Sequence, residues 1–346
     1  MDTNHLINFA SDNSAPVAPE IMAALLAVNQ GPALGYGNDS VTRGFEEQLK
    51  DVFECDLRAF PVATGTAANA LGLSVMVPPY GSIFAHRLGH IETDECGAPE
   101  FYTGGAKIAL QDGENGKLDA AHLDKVLSQS GAGNVHHIQP AVLSLTQTTE
   151  CGTVYTEAEV AALSATAKAH GLGVHMDGAR FANAVVSLDC APADVTVKAG
   201  VDILSLGATK NGAMAVEAVV FFNQEKAQEF EFRRKRGAHL FSKMRYFSAQ
   251  LDAYFADGLW LKFAHHANEM ASRLAAGLAS SDTASLLYPV EANMVFTKIS
   301  GEAMAKLEKS NVLFYPEGPK EDSVIRLVAS WNTTSEEVDA VLSLIG

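Results

Sequence analysis

The chain has 346 residues, 47% hydrophobic and 19% charged, enough for a large domain with a smaller one beside it and too apolar for long disordered regions. Its 41 acidic and 25 basic residues leave a net charge of −16, which repels phosphate backbones and sets nucleic acid aside as a partner. No window is long and apolar enough for a membrane span, and the first residues lack the basic flank and apolar run of a signal peptide. Cys55, Cys96, Cys151 and Cys190 lie far apart with no C-x-x-C pair, so a cytoplasmic protein with reduced thiols is expected.

In chain order, residues 1–13 read as an arm and Pro19–Val28 as a helix. The turn-rich loop Gly31–Asp39 follows, then an amphipathic helix, Ser40–Phe53. Ala59–Val62 is a short strand that gives way to ATGTAAN (Ala63–Asn69) and a helix to about Met76. Strands are expected at Ser82–Ala85 and Ala106–Leu110, a helix capped by Asp119 through Leu127, and an extended run over Val135–Leu145. Thr156 and Glu159 form a capping box for a helix to His170, which Gly171 stops. Strands Leu172–Met176, Val201–Leu206 and Ala218–Phe222 follow with helices between. This alternation predicts an α/β fold with a mostly parallel sheet covered on both faces, spanning residues 14–250. Beyond it, helix over Ser242–Ser280 breaks near Asp257-Gly258. Short strands near Leu286–Tyr288, Met294–Lys298 and Val324–Val328, with helices at Glu302–Lys309 and Thr334–Leu344, make residues 251–346 a small α+β domain.

Two strand ends carry the chemistry. Val201–Leu206 breaks at Gly207 and presents Lys210 at the end of a small-residue turn, and Leu172–Met176 runs into Asp177-Gly178-Ala179-Arg180. Open α/β sheets bind ligands beyond the carboxyl ends of their strands. A lysine and an aspartate there suit pyridoxal phosphate, the lysine as Schiff base and the aspartate on the ring nitrogen. In ATGTAAN, backbone N–H groups at Gly65, Thr66 and Ala67 would meet a phosphate at a helix amino terminus, an ordinary helix cap being the alternative. Arg236 and Arg245, from the basic stretches near 233–236 and 243–245, are candidate cations for the same phosphate, with a neighbouring subunit as one source.

The ordered set FASDN, GYGND, ATGTAAN, HIETDECGAPE, HMDGARFANA, SLGATKNG and IRLVASWNTT resembles the L-threonine aldolases of the aspartate-aminotransferase-like (type I) pyridoxal-phosphate fold, and more narrowly the low-specificity and phenylserine aldolases of pseudomonads. The resemblance covers nearly the whole chain. It implies a seven-stranded large-domain sheet and cleavage of a β-hydroxy-α-amino acid to glycine and an aldehyde by a homotetramer built from close dimers. It also implies roles: Lys210 as Schiff-base lysine, Asp177 on the pyridine nitrogen, and Gly65 and Thr66 in the phosphate turn. His90 stacks over the ring with Glu95 nearby, Ser11, Arg180 and Arg326 hold the substrate carboxylate, and His136 is a second active-site histidine. Thr209 stands in place of the more common serine before the lysine, with Asn211 after it. Gln147-Thr148-Thr149 stands in place of E-N-T. Both departures follow the pseudomonad-like branch.

An arginine's planar fork would hold a substrate carboxylate so that the Cα–Cβ bond stands perpendicular to the ring. A histidine has the pKa to take the β-hydroxyl proton, and residue types alone leave His90 and His136 both open. The pairs His136-His137 and His265-His266 lack a third ligand at a suitable spacing, so no metal is expected. His175, two residues before Asp177, reads as a packed or hydrogen-bonded core residue, and Tyr36 as a minor contact candidate. β-Elimination and transamination remain alternatives on the same site, and a non-enzymatic binding role is disfavoured because the polar groups for catalysis are all present.

Overall fold

In the computed structural model, residues 6–319 and 323–346 are described, so the first five residues of the expected 1–13 arm lie outside the described residues. The arm contributes β1 (Ile7–Asn8), and α1 (Pro19–Ala27) and α2 (Ser40–Phe53) follow it. Asp39 caps α2, its side chain accepting from the Thr42 N–H at 2.8 Å. The large domain continues with β2 (Arg58–Val62), α3 (Gly65–Ser74), β3 (Gly81–His86), α4 (His90–Thr93), α5 (Ala98–Thr103), β4 (Lys107–Gln111) and α6 (Ala120–Ser128). It then runs through β5 (Gln139–Thr146), α7 (Glu157–Ala169), β6 (Gly173–Gly178), α8 (Phe181–Leu188), β7 (Ile203–Gly207), β8 (Glu217–Phe221), α9 (Ala227–Arg236) and α10 (Arg245–Phe255). The remainder is α11 (Leu259–Ala279), β9 (Ala284–Leu286), β10 (Met294–Ile299), α12 (Gly301–Lys309), β11 (Val312–Leu313), β12 (Tyr315–Pro316), β13 (Val324–Val328) and α13 (Ser335–Ile345).

Seven strands form the large sheet in the order β2-β8-β7-β6-β5-β3-β4. All run parallel except β8, which is antiparallel to both β2 and β7. The carboxyl ends of β2, β3, β6 and β7 therefore face one edge. The reversed β8 brings its first residue, Glu217, to the same edge, opposite Gly207 and Val62. Strands buried on both faces read as apolar runs, and helices from both sides cover them. Leu143, Val174, Leu204 and Val220 pack in one continuous core with Phe45, Phe53, Phe181 and Trp260. The capping box of Thr156 and Glu159 forms as the sequence predicts, and Gly171 ends that segment at φ +78°, a conformation that favours glycine.

The smaller sheet is antiparallel, in the order β12-β13-β10-β9. Its core, with Val295, Ile325, Leu327 and Val341, also takes in Ile7 and Phe9, because β1 pairs in parallel with β11. Helix α11 serves both cores: Trp260 and Ala264 pack into the large one, and Met270, Leu274 and Leu278 into the small one. The expected break near Asp257-Gly258 is present between α10 and α11, with Gly258 at φ +68°.

Candidate active site

One cavity of about 360 Å³ opens at the carboxyl edge of the large sheet, lined by Asn13, Ala63–Thr66, Asn69, His90, Asp177, Ala179, Thr209, Lys210, Ala215 and Glu217. Lys210 lies in the short turn after β7, and Asp177 near the end of β6, next to Thr146 and Ser205 in register. The two loops approach closely at Gly207, where a Cβ would fall 2.3 Å from the Ala179 carbonyl oxygen, so only glycine fits there.

Asp177 is buried and held at both carboxylate oxygens. Oδ1 accepts from the Ala179 N–H at 3.0 Å and Oδ2 from Asn69 Nδ2 at 2.8 Å. The Asn69 amide also donates to Glu95 at 2.8 Å, and the same Glu95 oxygen meets His90 Nδ1 at 2.9 Å. The hydrogen bond to Glu95 raises the His90 pKa, against burial, with the Asp177 charge adding to the rise. Burial in turn raises the Glu95 carboxyl, which His90 and Asn69 only partly offset. His90, Glu95 and Asp177 bring ligand atoms within 4.8 Å of one another, but hydrogen bonding through Asn69 accounts for this clustering.

Below this network His175 is buried between Ser144, at 2.9 Å, and Ser205, at 3.0 Å. Desolvation pushes its pKa down to about 4, so it stays a neutral, hydrogen-bonded core residue, as the sequence predicts.

The turn expected to take a phosphate is local. Thr64 caps α3, its Oγ1 accepting from the Ala67 N–H at 3.1 Å. The Ala67 N–H is therefore taken by the cap, which corrects the expectation that it would point at an anion. Gly65 and Thr66 supply the remaining N–H groups at the helix terminus, and a Cβ added at Gly65 would meet nothing within 4 Å. The room at this terminus, the buried Asp177 carboxylate and the Lys210 amine fit a ligand with an anionic tail, a basic ring nitrogen and an aldehyde, which is the donor set pyridoxal phosphate requires.

Arg180 is buried and gripped by Asp12, with Nε donating at 2.7 Å and Nη2 at 3.0 Å. Asn293 donates to the same carboxylate at 3.1 Å and to the Ala329 carbonyl at 2.8 Å, tying this pair to the small domain. Burial opposes the Asp12 charge, but Arg180 and Lys210 together hold its carboxyl below the ordinary range. Ser11 caps the turn that carries Asp12, accepting from the Asn13 N–H at 3.1 Å. Glu150, half-buried, is raised by burial while the charges of Arg180 and Lys210 pull it down, which puts it within electrostatic reach of the cavity.

Like Ser11 and Arg180, five further expected residues are not among those that line this cavity. His136 is exposed in the loop before β5, its backbone N–H donating to Asn134. The eight residues of β5 span roughly 23 Å at the parallel-strand rise, which separates His136 from the carboxyl edge. As a residue of the chain's own cavity it is corrected, and of the two histidines His90 is the one that lines it. Arg236 is exposed in a groove with Phe101, Tyr102 and Phe232. Arg245 donates to the Gly31 carbonyl at 3.0 Å and lies over the Tyr246 ring. Arg326, on β13, lies over Tyr315 at 5.2 Å and 3.8 Å from Glu317, and its buried Nε has no hydrogen-bond partner among the described residues. Tyr36 is exposed beneath Lys235. Arg234, in the same basic run, is buried over the Phe60 ring at 5.0 Å, with the Pro61 carbonyl 3.5 Å away.

Sequence reasoning missed Asp12, Asn69 and Glu217. The first two stood inside quoted motifs, FASDN and ATGTAAN, where partners distant in sequence give them their roles. Glu217 had a signal of its own: a lone carboxylate entering an otherwise apolar strand, a residue type rarely buried without partners.

The Beta-eliminating lyase family matches residues 8–301. The chain is 42% identical to the low specificity L-threonine aldolase of Pseudomonas aeruginosa over 339 residues, 97% of this chain and 96% of that protein. It is 40% identical to the enzyme of the same name from a Pseudomonas species over 336 residues, again 97% and 96%. Its fold superposes on a Leishmania major threonine aldolase with a TM-score of 0.91 at 29% identity, covering 98% of each chain. Sphingomonas wittichii serine palmitoyltransferase shares the fold alone, at a TM-score of 0.73 and 16% identity over 98% of this chain and 86% of that one. The chain belongs to the Beta-eliminating lyase family and, within it, to the low-specificity L-threonine aldolases.

Proposed function

We propose that this enzyme uses pyridoxal 5'-phosphate to cleave L-threonine, L-allo-threonine and related L-β-hydroxy-α-amino acids, phenylserine among them, to glycine and an aldehyde. The observation that carries this reading is the shared cavity, in which Lys210, Asp177 and the Gly65–Thr66 turn line one space. Lys210 would hold the cofactor's aldehyde carbon, Asp177 would keep a proton on the ring nitrogen, and the turn would receive the phosphate. The cofactor, when bound, supplies the electron sink that stabilises a carbanion at Cα.

The chain's own groups do the rest. Asp12 leaves Arg180 with unused N–H donors, and these would bind and orient the substrate carboxylate together with Ser11 and Arg326. His90, which lines the cavity and is hydrogen-bonded to Glu95, would take the β-hydroxyl proton as the aldehyde leaves. Arg236 and Arg245 would serve the phosphate only from a neighbouring copy, which fits a homotetramer built as a dimer of dimers. Among the described residues no helix is long and apolar enough to cross a membrane, and the acidic composition suits a cytoplasmic enzyme.

Product analysis tests the reading. With the purified enzyme, cofactor and each of the three amino acids, glycine and the matching aldehyde are expected in equal amounts. Ammonia with a keto acid would instead mean β-elimination, and an amino group left on the cofactor would mean transamination.

A further inference from the structure

Glu217 opens β8 beside the turn that carries Lys210, and no step above uses it. It is buried at 8% exposure and lines the cavity. Its Oε2 accepts from the Ala208 N–H at 2.5 Å, and Thr209 adds backbone and side-chain hydrogen bonds. Thr209 is held further by the Val216 backbone, donating to its carbonyl at 3.2 Å and accepting from its N–H at 3.1 Å. The two residues before the lysine are thus fastened to the antiparallel strand whose reversal brings a carboxyl group to this edge. We propose that Glu217 is a positioning residue for Lys210: its carboxyl fixes the Ala208–Thr209 backbone that aims the amine into the cavity, and places a negative charge beside that amine.

Burial pushes the Glu217 carboxyl up to about 7, against the hydrogen bonds and the Lys210 charge, so its ionisation falls in the working pH range. The titratable groups facing it are Lys210 from the β7 turn and Tyr254 from α10, whose hydroxyl it helps to raise. On the β2 side stands His239, which accepts from the Ala63 N–H at 3.2 Å and is itself lowered by burial. None of these three offers a second negative charge near neutral pH, but Lys210 also feels Asp12 and the burial-raised Glu150, so the shift in Glu217→Gln, rather than the wild-type titration, assigns the charge to Glu217.

This inference rests on Lys210 as the cofactor lysine, and the test separates the two. In Glu217→Gln the side-chain oxygen still accepts from Ala208 while the charge is lost. The visible band of the cofactor-loaded protein is titrated with pH, and thermal melting of the cofactor-free protein checks the fold. The account expects the band in both proteins, with the midpoint about one pH unit lower in Glu217→Gln, because an adjacent negative charge favours the protonated linkage. Glu217→Ala removes the grip as well, and should weaken cofactor capture roughly tenfold beyond Glu217→Gln. An unshifted midpoint in folded Glu217→Gln, or equal cofactor affinity in the two variants, overturns the role of Glu217 alone. A wild-type protein with no visible band at all overturns both readings.

Discussion

The two ends of the cavity are built by different means. At the end that would face the ring nitrogen, Asp177 is fixed by Asn69 and the Ala179 N–H, and Asn69 extends the network to Glu95 and His90. Those groups come from β6, α3 and the segment after β3, and they hold one another through side chains. At the end that would take the phosphate a single local segment does the work: Thr64 caps α3, and the next two residues follow at the helix amino terminus. One end depends on tertiary packing and the other on the sequence of a turn. Substitutions at the first should therefore be far more damaging.

The largest expected effect lies at the networked end. Asp177→Ala should lower kcat on the order of 10²–10⁴-fold, because the proton on the ring nitrogen loses its holder while the turn and Lys210 remain. Steady-state kinetics at saturating cofactor reads this, and a loss under tenfold would mean that Asp177 does not face the ring.

Next comes the buried pair of Asp12 and Arg180. Asp12→Ala strands the Arg180 guanidinium, which should cost about 3–5 kcal/mol of stability in urea unfolding. The sign with pH follows from the depressed Asp12 carboxyl: its stabilisation is complete above the ordinary aspartate pKa and is lost only as pH falls through the lower folded value. The variant should lack that acid-side loss. A change under about 1 kcal/mol would show that the pair is not what holds Arg180.

At the local end, Thr64→Ala removes one helix cap and should cost about 1 kcal/mol with a modest loss of cofactor affinity. A penalty as large as that of Asp12→Ala would erase the contrast between the two ends.

The smallest effect is a shift rather than a loss. His90 must be neutral to take a proton, and its pKa is raised, chiefly by Glu95, so activity should climb with pH through a midpoint above the ordinary histidine range. Glu95→Gln should move that acid-side rise to lower pH. A rise that stays in place would remove His90 as the base.

The same contrast explains what could be read in the sequence. The turn at Gly65–Thr66, the capping box of Thr156 and Glu159 and the strand tips with Asp177 and Lys210 are local patterns, and the structure has them where the periodicity and turn residues put them. Asn69 was visible only as a helix residue, since its partners lie 26 and 108 positions away. The reversal of β8 was equally hidden, because a short apolar strand carries no sign of its direction. His136 shows another limit: a motif carries a residue to a role, but a count along the chain does not show that the length of β5 sets that residue apart from the chain's own cavity. Arg236 and Arg245 were grouped by charge, and charge alone gives no direction to a side chain.

The central claim is that the cofactor is held by the amine of Lys210 at the edge of the large sheet. The direct measurement is to load the enzyme with pyridoxal phosphate, reduce with borohydride, digest and locate the modified peptide by mass spectrometry. The account predicts one modified lysine, Lys210, and no label in Lys210→Ala. Label on any other lysine of the native enzyme, with Lys210 unmodified, would contradict it.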